Sequence, residues 1–262
     1  MREARPPIQV EFFGLPGSGK TTIARELYSR LRSADPAAIY SPLVTLDQRS
    51  GLPRTAARAL LIVQGFPWRR SDRRALHAMA TTRQRTGWDK AKVLFNYLTV
   101  ASLYRRLARR GCGAVVDQGV LQTIWSANLH SVEPFSPEKW APLLLSESGT
   151  GKFYVFVRTP VSICMERLSS RPAKHSRMQS HGLLRDAERW EHSELVCARV
   201  LEGLTSSFQE HGARSRVMTV DGTRDPGELA EGILARILDA SQALVSRDRD
   251  RGLASTRALR PI

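Results

Sequence analysis

Gly14-Leu15-Pro16-Gly17-Ser18-Gly19-Lys20-Thr21 fits the spacing G-x-x-x-x-G-K-[ST], a pattern suited to holding phosphate. Glycines allow a tight loop to turn its N–H groups inward as an anion nest, and a helix beginning near Gly19 would aim the positive end of its dipole at the same point. Lys20 is a mobile point charge able to follow a phosphoryl group in transfer, and the Thr21 hydroxyl is placed to ligate Mg²⁺. The expected binding residues are therefore Gly14, Pro16, Gly17, Ser18, Gly19, Lys20, Thr21 and Thr22, with Thr22 either touching a phosphate or simply opening the helix.

Further groups suit the same chemistry. Asp117 ends the apolar run Gly113-Ala114-Val115-Val116, where a parallel strand would deliver it to a ligand. Its carboxylate can hold a Mg²⁺-bound water, take a proton from an acceptor hydroxyl, or cap a helix starting near Leu121. Arg167 and Arg171 share a helix face, where they either clamp phosphoryl oxygens or lie solvated at a helix end. His175 and His181 lack metal-ligand spacing and read as surface residues.

These groups need a scaffold. Ile8 to Phe13 is β-branched and aromatic, and reads as a first strand. Ile23, Leu27 and Leu31 repeat at helical spacing over Gly19 to Leu31. Ala38 to Tyr40 predicts a second strand, Gly113 to Asp117 a third, Gly151 to Arg158 a fourth and Arg216 to Val220 a last one. Between the second and third, Leu94, Leu98, Ala101 and Tyr104 mark a helical stripe that Gly111 stops. Pro160 opens a helix over Val161 to Leu168, another runs from about Leu184 to Phe208, and Asp225-Pro226-Gly227-Glu228 has a capping-box pattern. Strands that are apolar throughout and alternate with helices predict an α/β fold: a parallel sheet covered on both faces.

Composition narrows the class. The 262 residues carry a formal charge of +15, of which the segment from Arg54 to Arg110 supplies +12 through 14 Lys and Arg against Asp72 and Asp89. An excess of that kind fits an anionic partner. Cys112, Cys164 and Cys197 are too few and too scattered for a disulfide framework, which suits a reducing, cytoplasmic setting. No run is long enough to span a membrane, so a soluble protein is expected. From about 246 to 262 the chain alternates Arg and Asp and reads as a fraying tail after a single domain over 1–245.

With GLPGSGKTT at Gly14 to Thr22, VVDQG at Val115 to Gly119, RTPVSICMERLSSR at Arg158 to Arg171 and VDGTRDP at Val220 to Pro226, the chain resembles the P-loop nucleotide and nucleoside kinases, which include thymidylate and adenylate kinases. The resemblance implies a three-layer fold around about five parallel strands, a helical acceptor-binding segment near 53–110 and a lid near 169–183. It implies ATP and Mg²⁺ as cofactors, with Asp117 on the metal and acceptor side. Arg167 and Arg171 would begin the lid, and Asp221 to Arg224 would lie near the adenine. Gln118 stands where thymidylate-type kinases carry arginine, and Tyr40-Ser41-Pro42 where deoxynucleoside kinases carry a carboxylate base. Asp47 is the nearest replacement base, or else a loop aspartate making a local turn. The expected activity is phosphoryl transfer from ATP to a small anionic acceptor bound near Arg69-Arg70 and Arg73-Arg74, beside Trp68. A polynucleotide 5′-hydroxyl kinase, which would make nucleic acid the partner, and a non-catalytic ATP-binding regulator are the alternatives. A homodimer is compatible with this reading.

Overall fold

A computed structural model describes residues 8–34, 36, 39–40, 54–64, 70–129, 131–148, 152–170, 186–210 and 216–241. Its centre is a five-stranded sheet, β1 (Gln9–Phe13), β2 (Ile39–Tyr40), β3 (Ala114–Val116), β4 (Phe153–Arg158) and β5 (Val217–Asp221), in the order β2-β3-β1-β4-β5. Every pairing is parallel. The helices are α1 (Lys20–Ala34), α2 (Arg54–Gln64), α3 (Arg70–Thr81), α4 (Gly87–Arg110), α5 (Val120–Leu129), α6 (Pro137–Ser148), α7 (Val161–Ser169), α8 (Ala187–Glu210) and a last one, α9, over 226–241.

Because successive side chains of a strand face opposite ways, β1, β3, β4 and β5 feed two cores. Val10, Phe12, Val115, Val155, Val157 and Met218 pack with Ile23, Leu27 and Leu31 of α1 and with Ile233 and Ile237 of α9. Phe13, Ala114, Val116 and Tyr154 pack on the other side with residues of α4, α5, α6 and α8. The predicted α/β class is therefore realised, with helices on both faces. No helix among the described residues is long and apolar enough to cross a membrane.

Local signals predict most ends. Gly111 closes α4 at φ 59°, donating its N–H to the Ala108 carbonyl. Asp225 accepts the Glu228 N–H at 2.9 Å, whereas the Glu228 carboxylate takes Arg224 instead of completing the predicted capping box. Pro160 precedes α7 as its N-cap, and the helix begins at Val161 as predicted. Two expectations need correction. The α4 stripe is centred one residue nearer the N-terminus than the predicted one: Val93, Tyr97, Val100, Leu103, Tyr104 and Leu107 are buried, while Leu94, Leu98 and Ala101 are half-buried. A 24-residue helix packed on more than one neighbour has no single clean stripe to read. The stretch between β3 and β4 holds two helices, α5 and α6, rather than one.

Cys164 and Cys197 are buried at 0% and 2% exposure. Burial pushes their thiols up to about 11 and about 12, outweighing the nearby positive charge of Lys20. Both are therefore expected to resist iodoacetamide in the native protein at pH 8 and to react after denaturation, a difference that mass spectrometry reads directly. Folded thiols that hold their protons more tightly than unfolded ones keep their contribution in full below the ordinary value of 9.0. That contribution is lost as pH rises past it toward 11, so stability should decline across this window.

Candidate active site

The loop between β1 and α1 has the conformation its glycines allow. Gly14, Gly17 and Gly19 have φ of 144°, 85° and 94°, in the region that side chains disfavour. Gly17 is also pressed against α7: a Cβ there would sit 2.5 Å from the Cys164 carbonyl oxygen. Ser18 donates its N–H to the Leu15 carbonyl at 3.2 Å, and the Ile23 N–H returns to Gly19 at 3.1 Å as α1 begins. Lys20 folds over this loop, its Nζ donating to the carbonyls of Gly14 at 2.8 Å and Leu15 at 2.6 Å. Thr22 is exposed, and its N–H joins the first turn of α1 at Gly19.

Two turns brace the loop from outside. Thr159, just past β4, donates its hydroxyl to the Ser18 carbonyl at 3.0 Å. Gly222, just past β5, is packed so closely on Ser18 and Thr159 that a Cβ would overlap both. Arg167, from the last turn of α7, reaches across with Nη1 to the carbonyls of Gly222 at 3.1 Å and Gly17 at 3.5 Å. Its guanidinium thus stands beside the loop between β1 and α1. Asp221 is held in its turn by the Thr223 N–H and hydroxyl, and these bonds lower its carboxylate pKa.

On the opposite side Asp117 follows the last residue of β3, and its Oδ2 accepts the Thr21 hydroxyl at 3.3 Å. The two residues proposed for the metal, 96 positions apart in the chain, therefore meet at the mouth of the loop. Among the described residues no group of three or more His, Cys, Asp and Glu could hold a metal. A hydroxyl plus one carboxylate suits Mg²⁺, which keeps several waters and takes phosphate oxygens as ligands.

Asp47 and Arg171 lie outside the described residues, as do Trp68, Arg69, His175, His181, most of the 169–183 lid segment and the 246–262 tail. The described part of the basic segment forms α2, α3 and α4, with Arg73 and Lys92 exposed on α3 and α4 and Arg83 and Arg85 exposed between those two helices. Lys92 sits 5.4 Å over the ring of Trp88, which is itself 70% exposed. A cavity of about 540 Å³ between α8 and the face of β4 and β5 touches the loop at Leu15, and its wall includes Phe156, Arg158, Glu194, Leu201 and Glu202. None of the described basic residues between 54 and 92 lines it.

No sequence motif points to Glu11 or Thr159. Thr159 lies within a matched stretch but has no motif role. Glu11 did carry a signal, a carboxylate in the middle of an otherwise apolar strand.

The structure is similar to solved structures of deoxyadenosine kinase from M. mycoides. With dCTP bound, that protein aligns at a TM-score of 0.46 and 12% identity, covering 88% of this chain and 100% of the other. With the products dCMP and a flexible dCDP, the values are 0.47 and 10%, again with 88% and 100% covered. No protein-family model matches the sequence, and neither does any curated protein. The likeness lies in the arrangement of sheet and helices.

Proposed function

We propose that the chain is an ATP-dependent phosphotransferase acting on a small anionic acceptor, such as a nucleoside monophosphate or a related phosphorylated metabolite. The observation that carries this reading is the Thr21–Asp117 contact at 3.3 Å, set against the Lys20 loop. A phosphate cradle alone serves many ATP-driven proteins. A carboxylate from β3 brought to the loop hydroxyl, with Arg167 on the other side, frames the space where a γ-phosphoryl group would change partners.

The transfer forms a bond from an acceptor oxygen to the γ-phosphorus as the bond to the ADP oxygen breaks. The loop N–H groups and α1 hold the phosphates, and Lys20 exchanges its carbonyl partners for phosphate oxygens. Arg167 is poised to add positive charge as negative charge redistributes. Asp117 and Thr21 would hold Mg²⁺, which when bound neutralises charge on the phosphates. Exposed basic residues of α3 and α4 supply the positive field that an anionic acceptor would enter.

The direct test is incubation with γ-labelled ATP and separate pools of nucleosides, nucleotides, sugars and oligonucleotides. Label moving into the nucleotide or phosphorylated-metabolite pool supports the proposal. Label moving mainly into oligonucleotides, with steep salt dependence, would favour the polynucleotide kinase. ATP binding with no transfer to any pool would favour a regulator. Asp117→Asn is expected to lower turnover by roughly 100-fold with the protein still folded, and full turnover would remove this carboxylate from the mechanism.

A further inference from the structure

We propose that Glu11 is a positioning residue that sets the place of Asp117; this rests on the reading of Asp117 as the metal-side carboxylate. Glu11 lies on the central strand at 0% exposure, where a carboxylate is costly unless its oxygens are satisfied. One oxygen accepts the Tyr104 hydroxyl at 2.6 Å, and the other accepts the backbone N–H of Leu121 at 2.7 Å. The Tyr104 ring also receives the Nζ of Lys152, a lysine only 4% exposed, at 3.6 Å from its centroid. Tyr104 thus contacts a buried anion and a buried cation together.

The consequence for the site follows from chain order. Glu11 is the register partner of Val116, the last residue of β3, and its carboxylate holds the second residue of α5. Asp117, Gln118, Gly119 and Val120 span the gap between those two fixed points. Leu121 N–H is one of the amides at a helix start that have no partner within the helix, so an acceptor there also gains from the helix dipole. Gly119 completes the fit, because a Cβ on it would overlap the Glu11 carboxylate. The turn carrying Asp117 is therefore anchored from β1, the same strand that leads into the phosphate loop. A shift of that turn would separate Asp117 from Thr21.

The test compares Glu11→Gln, Asp117→Asn and the double variant by titrating Mg²⁺ against binding of a fluorescent ATP analogue, with EDTA as the metal-free reference. Glu11→Gln keeps shape and one acceptor oxygen, and is expected to weaken Mg²⁺-supported binding by roughly 10-fold while leaving metal-free binding within about twofold. The double variant should bind no worse than Asp117→Asn, because Glu11 acts through Asp117. A full Mg²⁺ response in Glu11→Gln, or additive losses in the double variant, overturns the positioning role alone. Asp117→Asn with a full Mg²⁺ response removes the metal-side reading and this proposal with it. Should Glu11→Gln not fold, Tyr104→Phe removes one of the two donors and keeps the ring against Lys152. It should then show a smaller loss in the same metal-dependent quantity, and no loss there overturns the proposal.

Discussion

Lys20→Ala is expected to reduce phosphoryl transfer by roughly 10²- to 10³-fold, with a smaller loss of ATP affinity and little change in melting temperature. The asymmetry follows from geometry. Lys20 spends its charge on the Gly14 and Leu15 carbonyls at the loop surface, which water can satisfy when the side chain is removed. Its contribution to binding is shared with the loop N–H groups and the start of α1. Its contribution to transfer is not shared, because charge moving across the γ-phosphoryl group needs a donor able to follow it. Lys20→Arg should not restore the rate, since a planar guanidinium cannot occupy the place of a compact ammonium. Single-turnover rates with labelled ATP, alongside nucleotide affinity, separate the two quantities. A variant that loses affinity and retains its transfer rate would leave Lys20 as a binding residue only.

The second large effect is expected at Gly17. Gly17→Ala places a methyl group 2.5 Å from the Cys164 carbonyl oxygen and asks an alanine to hold φ of 85°. Either the loop opens or the first turn of α7 retreats, at a combined cost of roughly 2–4 kcal/mol. Arg167 is carried by that same helix, so a retreat would also draw its guanidinium from the cradle. Melting temperature and ATP affinity should fall together. Gly232→Ala is the matched control, because Gly232 lies inside α9 with nothing within 4 Å of its added Cβ. That change should stabilise the protein by roughly 0.5–1 kcal/mol, and equal losses in both variants would show that the loop has no special constraint.

The loop from Gly14 to Thr21 was legible because its conformation is written in backbone permission. Glycine is needed where φ is positive, and Lys20 and Thr21 follow at set spacing, so local chemistry and local sequence coincide. Asp117 was legible for a related reason: a run such as Ala114-Val115-Val116 can hardly be anything but a buried strand, and its end is where a parallel sheet presents ligands. Arg167 was read as part of a lid clamp with Arg171, and the structure brings Arg167 to the Gly17 and Gly222 carbonyls.

By itself, then, the sequence determined the strand-loop-helix cradle, the alternation of elements and hence the α/β class, the carboxylate at the end of β3, and the concentration of positive charge in the helical segment. These depend on interactions within a few residues or on composition. Only the tertiary structure decided that Thr21 and Asp117 meet, that Gly222 and Thr159 brace the loop, and that Glu11 reaches the start of α5. Each of those contacts joins residues at least 96 positions apart, and the strand order β2-β3-β1-β4-β5 is what makes them neighbours. A buried glutamate in a strand announces only that some partner must exist. Which partner it finds depends on which strands and helices the sheet sets side by side.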